Sequence, residues 1–412
     1  MHRRELLKGL AFASASALLS FCAPKGIHAT LPGVPCLPRV EVSQERMIRT
    51  ICGLRPFRRS GFVVRPEKIS DTLVVHNYGH GGAGITLSWG TAKLAVDLAA
   101  PGYCGPVAVI GSGVVGLSTA RLLQESGFAV TTYAKELPPN TTSNVAGGWW
   151  YPVTLFDEQF RTPAFSEQFA KACRYAFQRY QTMVGDHYGV RWTRSYRLSH
   201  SALSQTGDFS RQGVVGSLTP EFSDSAGTQT PFQGYEYARQ FDTMLIEPPI
   251  YLPAMLQDFQ IAGGKVVVRD FHTPAEIAGL QEKMVFNCTG LGAKALFDDG
   301  ELTPVKGQLT FLLPQPEVSY SVVAGSLYMF SRHDGIVLGG THEEGDWSLD
   351  VDTQVRDQIV AKQRELFENM RACQNSARPL STPPRASGAK LRAEQGALTV
   401  ISGGCCVSRS EQ

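Results

Sequence analysis

Gly111, Gly113 and Gly116 follow the apolar run VAVI at residues 107–110 and precede a stretch with helical spacing over residues 117–124. The first glycine permits a tight turn from strand to helix. The second lets a pyrophosphate approach the backbone, and the third allows the helix to pack closely on the strand. Val114 and Val115 then open a helix whose free N–H groups meet phosphate charge. The chemistry this predicts is binding of a dinucleotide. Such a ligand also needs an acid for its ribose near the end of the second strand, read at residues 129–133. Glu136 stands 23 residues after Gly113, with Lys135 as an equally polar neighbour. A solvated turn charge is the alternative reading for Glu136.

The chain that must position these residues has 412 residues, 43% hydrophobic, with 41 Gly and 18% charged residues. That composition suits an α/β enzyme of about two domains rather than a disordered or fibrous chain. The formal charge of +2 owes much to residues 1–29, where Arg3, Arg4, Lys8 and Lys25 face Glu5 alone. The remainder is about −1, so nucleic acid is not an expected partner. The Arg3-Arg4 pair and the mild apolar stretch behind it read as a Tat-like export signal, which implies a bacterial periplasmic location. Residues 10–22 are too short for a comfortable membrane span. A frayed N-terminal helix is the alternative, and cleavage near Ala29 or lipidation at Cys22 stays open. The other eight cysteines match no metal or redox motif, so no metal site is expected.

Further along, a β-rich run at 72–76 empties into NYGHGGAG, and helical spacing follows over 85–98. Residues 99–106 form a turn-rich linker. Aromatic residues at helical intervals mark 160–184, whereas 200–234 reads as loops and edge strands. A helix over 249–263 and strands at 265–268 and 284–286 make another α/β unit, the last opening into NCTG. Strands alternate with turns over 308–340, and 355–373 reads as an amphipathic helix. An extended segment is expected at 40–51. Trp149 and Trp150 either border a ligand or pack in the core. His76 and His80 sit four apart across a glycine-rich loop, not on a helix, and do not read as a metal pair.

From residue 107 through VTTYAKELPPNTTSNVAGGWWYP the chain resembles the flavin domain of the D-amino-acid oxidase family. The resemblance implies that Thr141, Thr142, Ser143 and the backbone through Gly147 and Gly148 lie along the FAD pyrophosphate and flavin. It places Lys135 and Glu136 at the ribose, and Thr289 and Gly290 of NCTG at a second FAD-contacting turn. Lys306, Gly307 and Gln308 resemble the start of the strand that follows. LGGTHEEGDW at 338–347 resembles the family's substrate-domain hairpin, and counting back from it puts Tyr328 on the tyrosine that holds the substrate carboxylate. GLRP puts Arg55 on the arginine that forks the same carboxylate. HNYGHGGAGIT resembles the loop at the flavin's pyrimidine edge, placing Gly81, Gly82, Ala83, Gly84, Ile85 and Thr86 there. The Gly82 carbonyl would then take the substrate amine.

In the family these last two motifs lie at the C-terminus, whereas here they occupy residues 53–86, ahead of the glycine motif. The implied fold is therefore α/β and circularly permuted: a Rossmann-like FAD-binding domain plus a substrate domain with a mixed or antiparallel β-sheet. The expected segments are a signal at 1–29, a linker at 30–38 and a substrate-domain strand with the arginine at 39–60. FAD-binding residues follow at 61–150, substrate-domain residues at 151–234, FAD-binding residues at 235–305 and substrate-domain residues at 306–372. A disordered tail is expected at 373–412. The implied activity is oxidative deamination of D-amino acids, with hydride transfer from Cα to flavin N5 and oxygen or another acceptor taking the electrons. Imino acid, then 2-oxo acid and ammonia, would be the products, with hydrogen peroxide where oxygen is the acceptor. A glycine, sarcosine or secondary-amine oxidase, or a flavin-binding protein without turnover, are the alternatives, and a homodimer stays open. Two departures bear on the substrate. Ala324 replaces a second family tyrosine, and the segment from 308 to 328 is short, which implies a reduced lid and a more open pocket.

Overall fold

The computed structural model describes residues 36–371. The Tat-like segment, Cys22, most of the linker at 30–38 and the tail at 373–412 lie outside the described residues. In chain order the first elements are β1 (Met47–Phe57), the hairpin β2 (Val63–Ile69) and β3 (Thr72–Tyr78), and helix α1 (Gly84–Ala99). A strand–turn–helix–strand unit follows: β4 (Val107–Ile110), α2 (Val114–Glu125) and β5 (Val130–Ala134). Helix α3 (Pro163–Gln181) leads to β6 (Val190–Ser199), β7 (Ser223–Ala226) and β8 (Tyr237–Ile246). Next come α4 (Pro248–Ile261), β9 (Lys265–Val268), α5 (Pro274–Ala278), β10 (Met284–Asn287) and α6 (Ala293–Leu296). The last stretch holds β11 (Thr303–Leu312), β12 (Tyr320–Ala324), β13 (Leu327–Arg332), β14 (Gly335–Gly339), β15 (Glu343–Glu344) and α7 (Thr353–Glu368).

Among the described residues these strands form two sheets. The smaller runs β2-β3-β10-β4-β5-β9, parallel except for the antiparallel edge strand β2. Its central strands are apolar on both sides, as a covered parallel sheet requires. Val107 and Val109 of β4 join one cluster with Leu87, Trp89, Leu117 and Leu123 of α1 and α2. Ala108 and Ile110 join another with Ile277, Leu280 and Leu296, on and around α5 and α6. Each buried Val, Leu or Ile side chain among them contributes about 2 kcal/mol. The VAVI run can therefore only be a central strand, and its end delivers the glycine turn.

The larger sheet runs β1-β11-β14-β13-β12-β6-β8-β7, with β15 added on β11, and only β12 and β6 pair in parallel. Met329, Leu338, Val360 and Phe367 bury one face under α7. Phe330, Val337 and Leu309 on the opposite face belong to the same cluster as the helices α1 and α2. Side chains that alternate along these strands therefore look either at α7 or at the smaller sheet. Strand β1 sits at the edge of the large sheet, with Gly53 opposite Gly307 and Arg55 opposite Val305. The chain then crosses directly into β2 of the smaller sheet. Arg58 braces the crossing: it binds Asp299 at 2.9 Å and Glu301 at 2.6 Å, and Tyr78 Oη donates to the same Asp299 at 2.8 Å.

Two boundaries differ from those expected. Residues 40–42 are not a strand; Val40 and Val42 are buried against Phe367 of α7, and the Val42 carbonyl accepts from Arg364 at 2.9 Å. Helix α7 stops at Glu368, because Met370 is captured in an antiparallel bridge with Phe232. Among the described residues no helix is long and apolar enough to cross a membrane.

Candidate active site

A cavity of about 960 Å³ is lined by residues of both sheets. At the smaller sheet the turn after β4 brings Gly111 and Gly113 to it, with Val114 and Val115 at the start of α2. The backbone there is tight: a side chain on Gly111 would meet the Cys288 carbonyl, and one on Gly113 would approach Ser143 Oγ. Ser143 Oγ already accepts from the first α2 amide, Val114 N–H, at 3.0 Å. Thr141, Thr142, Gly147 and Gly148 line the same wall. Lys135 and Glu136 lie at the end of β5, both exposed at the rim; Lys135 pairs with Asp270 at 3.1 Å, and the Glu136 carbonyl accepts from Ser112 Oγ at 2.5 Å. Asp270, at the end of β9, is a third polar residue there that sequence spacing did not signal, because β9 is far from β5 in the chain.

The loop after β3 brings Gly81, Gly82, Gly84, Ile85 and Thr86 to the cavity, and the loop after β10 brings Thr289 and Gly290. Polar contacts hold both loops. Glu67 bonds His76 at 2.9 Å, His76 bonds the Asn287 amide at 3.0 Å, and Asn287 Oδ1 accepts from Thr289 Oγ1 at 2.8 Å. Gly82 N–H donates to the Thr154 carbonyl at 2.9 Å. His76 and His80 thus have separate structural partners. Two residues expected at the cofactor do not line the cavity. Ala83 is fully buried at the start of α1, and Gly116 packs against the Gly111 carbonyl, so close that a side chain there would strike it. Gly116 thus serves the helix–strand packing that its place in the glycine motif predicts, and Ala83, placed at the flavin loop by resemblance, packs in the core. Trp149 lines the cavity, and Trp150 is fully buried core.

His80 ties the glycine loop to α1 through Thr91 at 2.8 Å and stacks on Phe62. Burial pushes its imidazole down to about 3 from an ordinary value near 6.5. The folded protein therefore binds this proton less readily than the unfolded chain. The resulting stability is present above pH 6.5 and is lost as pH falls towards 3, on the order of 4 kcal/mol for a shift of that size. We expect unfolding stability, measured in urea at pH 7 and pH 5, to fall more steeply in the parent protein than in His80→Gln. Equal slopes would assign the acid lability to other groups.

At the large sheet, Arg55 on β1 and Tyr328 on β13 both line the cavity, with Arg55 Nη2 3.5 Å from Tyr328 Oη. Two glycines make the room. The Arg55 guanidinium lies over Gly307, where any Cβ would sit about 2.5 Å from Nη2, and the Tyr328 ring lies over Gly339, with 2.1 Å for the same test. Its other contacts among the described residues are long, 3.4 Å each, to the carbonyls of Lys306 and Thr341. Among the described residues no carboxylate lies within 4.0 Å of it. Its guanidinium can therefore take a planar anion from the cavity by parallel charge-assisted hydrogen bonds. Burial and the nearby Arg55 charge hold the His342 imidazole below its usual range. At the expected lid, Gly325 and Ser326 form only a tight two-residue turn between β12 and β13, and both line the cavity.

A pyrophosphate fits the glycine turn and the free N–H groups at the start of α2, with Thr141 and Thr142 lining the same wall. The residues present thus fit FAD.

The family model described as FAD dependent oxidoreductase (DAO) matches residues 27–98 and 106–392. D-aspartate oxidase of Homo sapiens is 27% identical over 293 residues, which cover 70% of this chain and 83% of that protein. D-amino-acid oxidase of Rubrobacter xylanophilus is 31% identical over 270 residues, 64% of this chain and 77% of that protein. D-amino-acid oxidase of Streptomyces coelicolor is 30% identical over 264 residues, 63% and 76%. With most of its length matched, the chain belongs to the DAO family and is an oxidoreductase whose cofactor is FAD.

Proposed function

We propose that this protein oxidatively deaminates D-amino acids. The observation that carries the reading is the Arg55 guanidinium, without a carboxylate partner among the described residues, beside Tyr328 Oη in the cavity that also holds the glycine cradle. Arg55 and Tyr328 bind the substrate carboxylate from two sides, and the Gly82 carbonyl accepts from the amine. Three fixed points leave one orientation for Cα–H, so the protein's contribution is positioning rather than proton abstraction by a dedicated base. When bound, FAD supplies the two-electron acceptor. Overall the amino acid loses two electrons and two protons to give an imino acid, which water converts to a 2-oxo acid and ammonia. Where oxygen is the final acceptor, the same electrons and protons appear as hydrogen peroxide. Support from relatives comes from those named D-amino-acid oxidase and D-aspartate oxidase.

The purified yellow protein should lose its visible flavin absorbance when a D-amino acid is added without oxygen, and keep it with the L-enantiomer. If glycine or sarcosine bleaches it and no D-amino acid with a side chain does, the secondary-amine reading replaces this one.

The relocated order of the motifs belongs to the same reading. Helix α1, which follows the glycine loop, ends at Ala99, and residues 100–106 lead straight into β4 of the same sheet. A short join between a family's last helix and its first strand would look like this. Export through the Tat-like signal remains part of the proposal and rests on residues 1–29 alone.

A further inference from the structure

We infer that the enzyme selects D-amino acids whose side chain carries a second carboxylate, and that Arg197 reads it. This rests on the D-amino-acid reading above. Arg197 on β6 lines the same cavity as Arg55 and Tyr328. The strand register places it directly beside Val323 of β12, and Val323 directly opposite Tyr328 of β13. Directly paired residues share a face of a sheet, so Arg197, Val323 and Tyr328 form one row across the cavity wall, with Arg197 and Tyr328 two strand spacings apart, roughly 10 Å between backbones. An aromatic wall runs along the same side. Tyr328 stacks on Phe330 at 5.0 Å between centroids, Phe330 on Trp149 at 5.6 Å, and Trp149 on Tyr151 at 4.5 Å. Tyr151 Oη accepts from Arg197 Nη1 at 3.0 Å. The wall thus has a tyrosine hydroxyl with a guanidinium at each end.

The charges around Arg197 make it an exception on its strands. Arg191 pairs with Glu247, Arg194 with Asp242 and Arg239 with Asp224. Arg197 stands directly opposite Arg239, whose carboxylate partner is already engaged, and among the described residues no carboxylate lies within 4.0 Å of Arg197. Like charges directly across a strand pair are unfavourable, and half-buried cations without an anion are costly to hold. The carboxylates that line the cavity, Glu136 and Asp270, sit at the strand ends of the smaller sheet. The large-sheet side therefore presents two guanidinium groups and no acid. A ligand with two anionic ends about one short carbon chain apart neutralises both, while the small Val323 between them leaves room for that chain. D-aspartate and D-glutamate have this form, and their amides have the same shape without the second charge.

The test compares holoenzyme kcat/KM for D-aspartate and D-glutamate with that for D-asparagine, D-glutamine and D-alanine. We expect the acids to exceed their amides by about 100-fold or more. In Arg197→Met the ratio of acid to amide should collapse by a similar factor, chiefly through KM for the acids, and Arg197→Lys should restore part of it. In the unmodified enzyme, acid and amide turned over alike would overturn the inference without any variant, leaving the D-amino-acid reading intact. So would an Arg197→Met variant whose losses are equal for acids and amides, which is the mark of lost packing on Tyr151. If no D-amino acid bleaches the flavin, the underlying reading fails first, and this one with it.

Discussion

Arg55→Met is expected to lower kcat/KM for the best D-amino acid by about a thousandfold, while the protein still purifies with FAD. Removing one partner of a desolvated charge pair costs about 2–5 kcal/mol, and each 1.4 kcal/mol is a factor of ten. The structure supports the upper part of that range. Arg55 has no competing carboxylate among the described residues, and its own contacts to protein carbonyls, at 3.4 Å, are long. Substrate would therefore gain nearly all of the guanidinium's strong hydrogen bonds. Arg55→Lys should recover little, since an ammonium is a point charge that cannot present two parallel donors. Steady-state kinetics alongside flavin absorbance separate the outcomes. A loss below tenfold would remove Arg55 from the carboxylate site, and a parallel loss of FAD would make it a structural residue of the cavity.

Gly111→Ala should yield a folded protein that no longer retains FAD. Gly111 has φ +112°, a region L side chains rarely adopt, and its added Cβ would sit 2.4 Å from the Cys288 carbonyl. Strain of this kind costs on the order of 1–3 kcal/mol before any clash is relieved. Relief must move backbone on one side or the other: the turn after β4, or the segment leading to Thr289 and Gly290. Both carry residues that line the cofactor's end of the cavity. A drop in FAD affinity of 100-fold or more, with secondary structure kept by circular dichroism, is the expected result. Retention of FAD at parental affinity would show that the turn does not carry the pyrophosphate.

The two predictions differ in how they could be reached. Gly111 was legible in the chain because its role is local: strand, turn and helix are consecutive, and the geometry of the turn follows from neighbouring residues. The VAVI strand and the glycine-rich turn between β3 and α1 were legible for the same reason, and the sheet they build has the form expected. Arg55 was legible only through resemblance, since nothing in its immediate neighbours distinguishes it from an ordinary strand arginine. Resemblance placed Ala83 at the flavin loop, where it is fully buried and does not line the cavity, whereas Gly116 packs helix on strand as its place in the glycine motif predicts.

What the tertiary structure alone decided lies between residues far apart in the chain. Gly307 and Gly339 are plain strand glycines in the sequence; only the register of β1 on β11 and of β13 on β14 shows that they make room for Arg55 and Tyr328. Arg197 sits in a strand with two other arginines, and nothing in that run marks it as the one without a carboxylate. That distinction arises from pairing with β8 and β12, which puts Arg239 on one side and Val323 on the other. The sequence by itself determined the cofactor cradle, because a backbone turn is specified by adjacent residues. The charge pattern of the large-sheet wall of the cavity was settled by tertiary structure, because cross-strand neighbours are chosen by sheet register rather than by chain order.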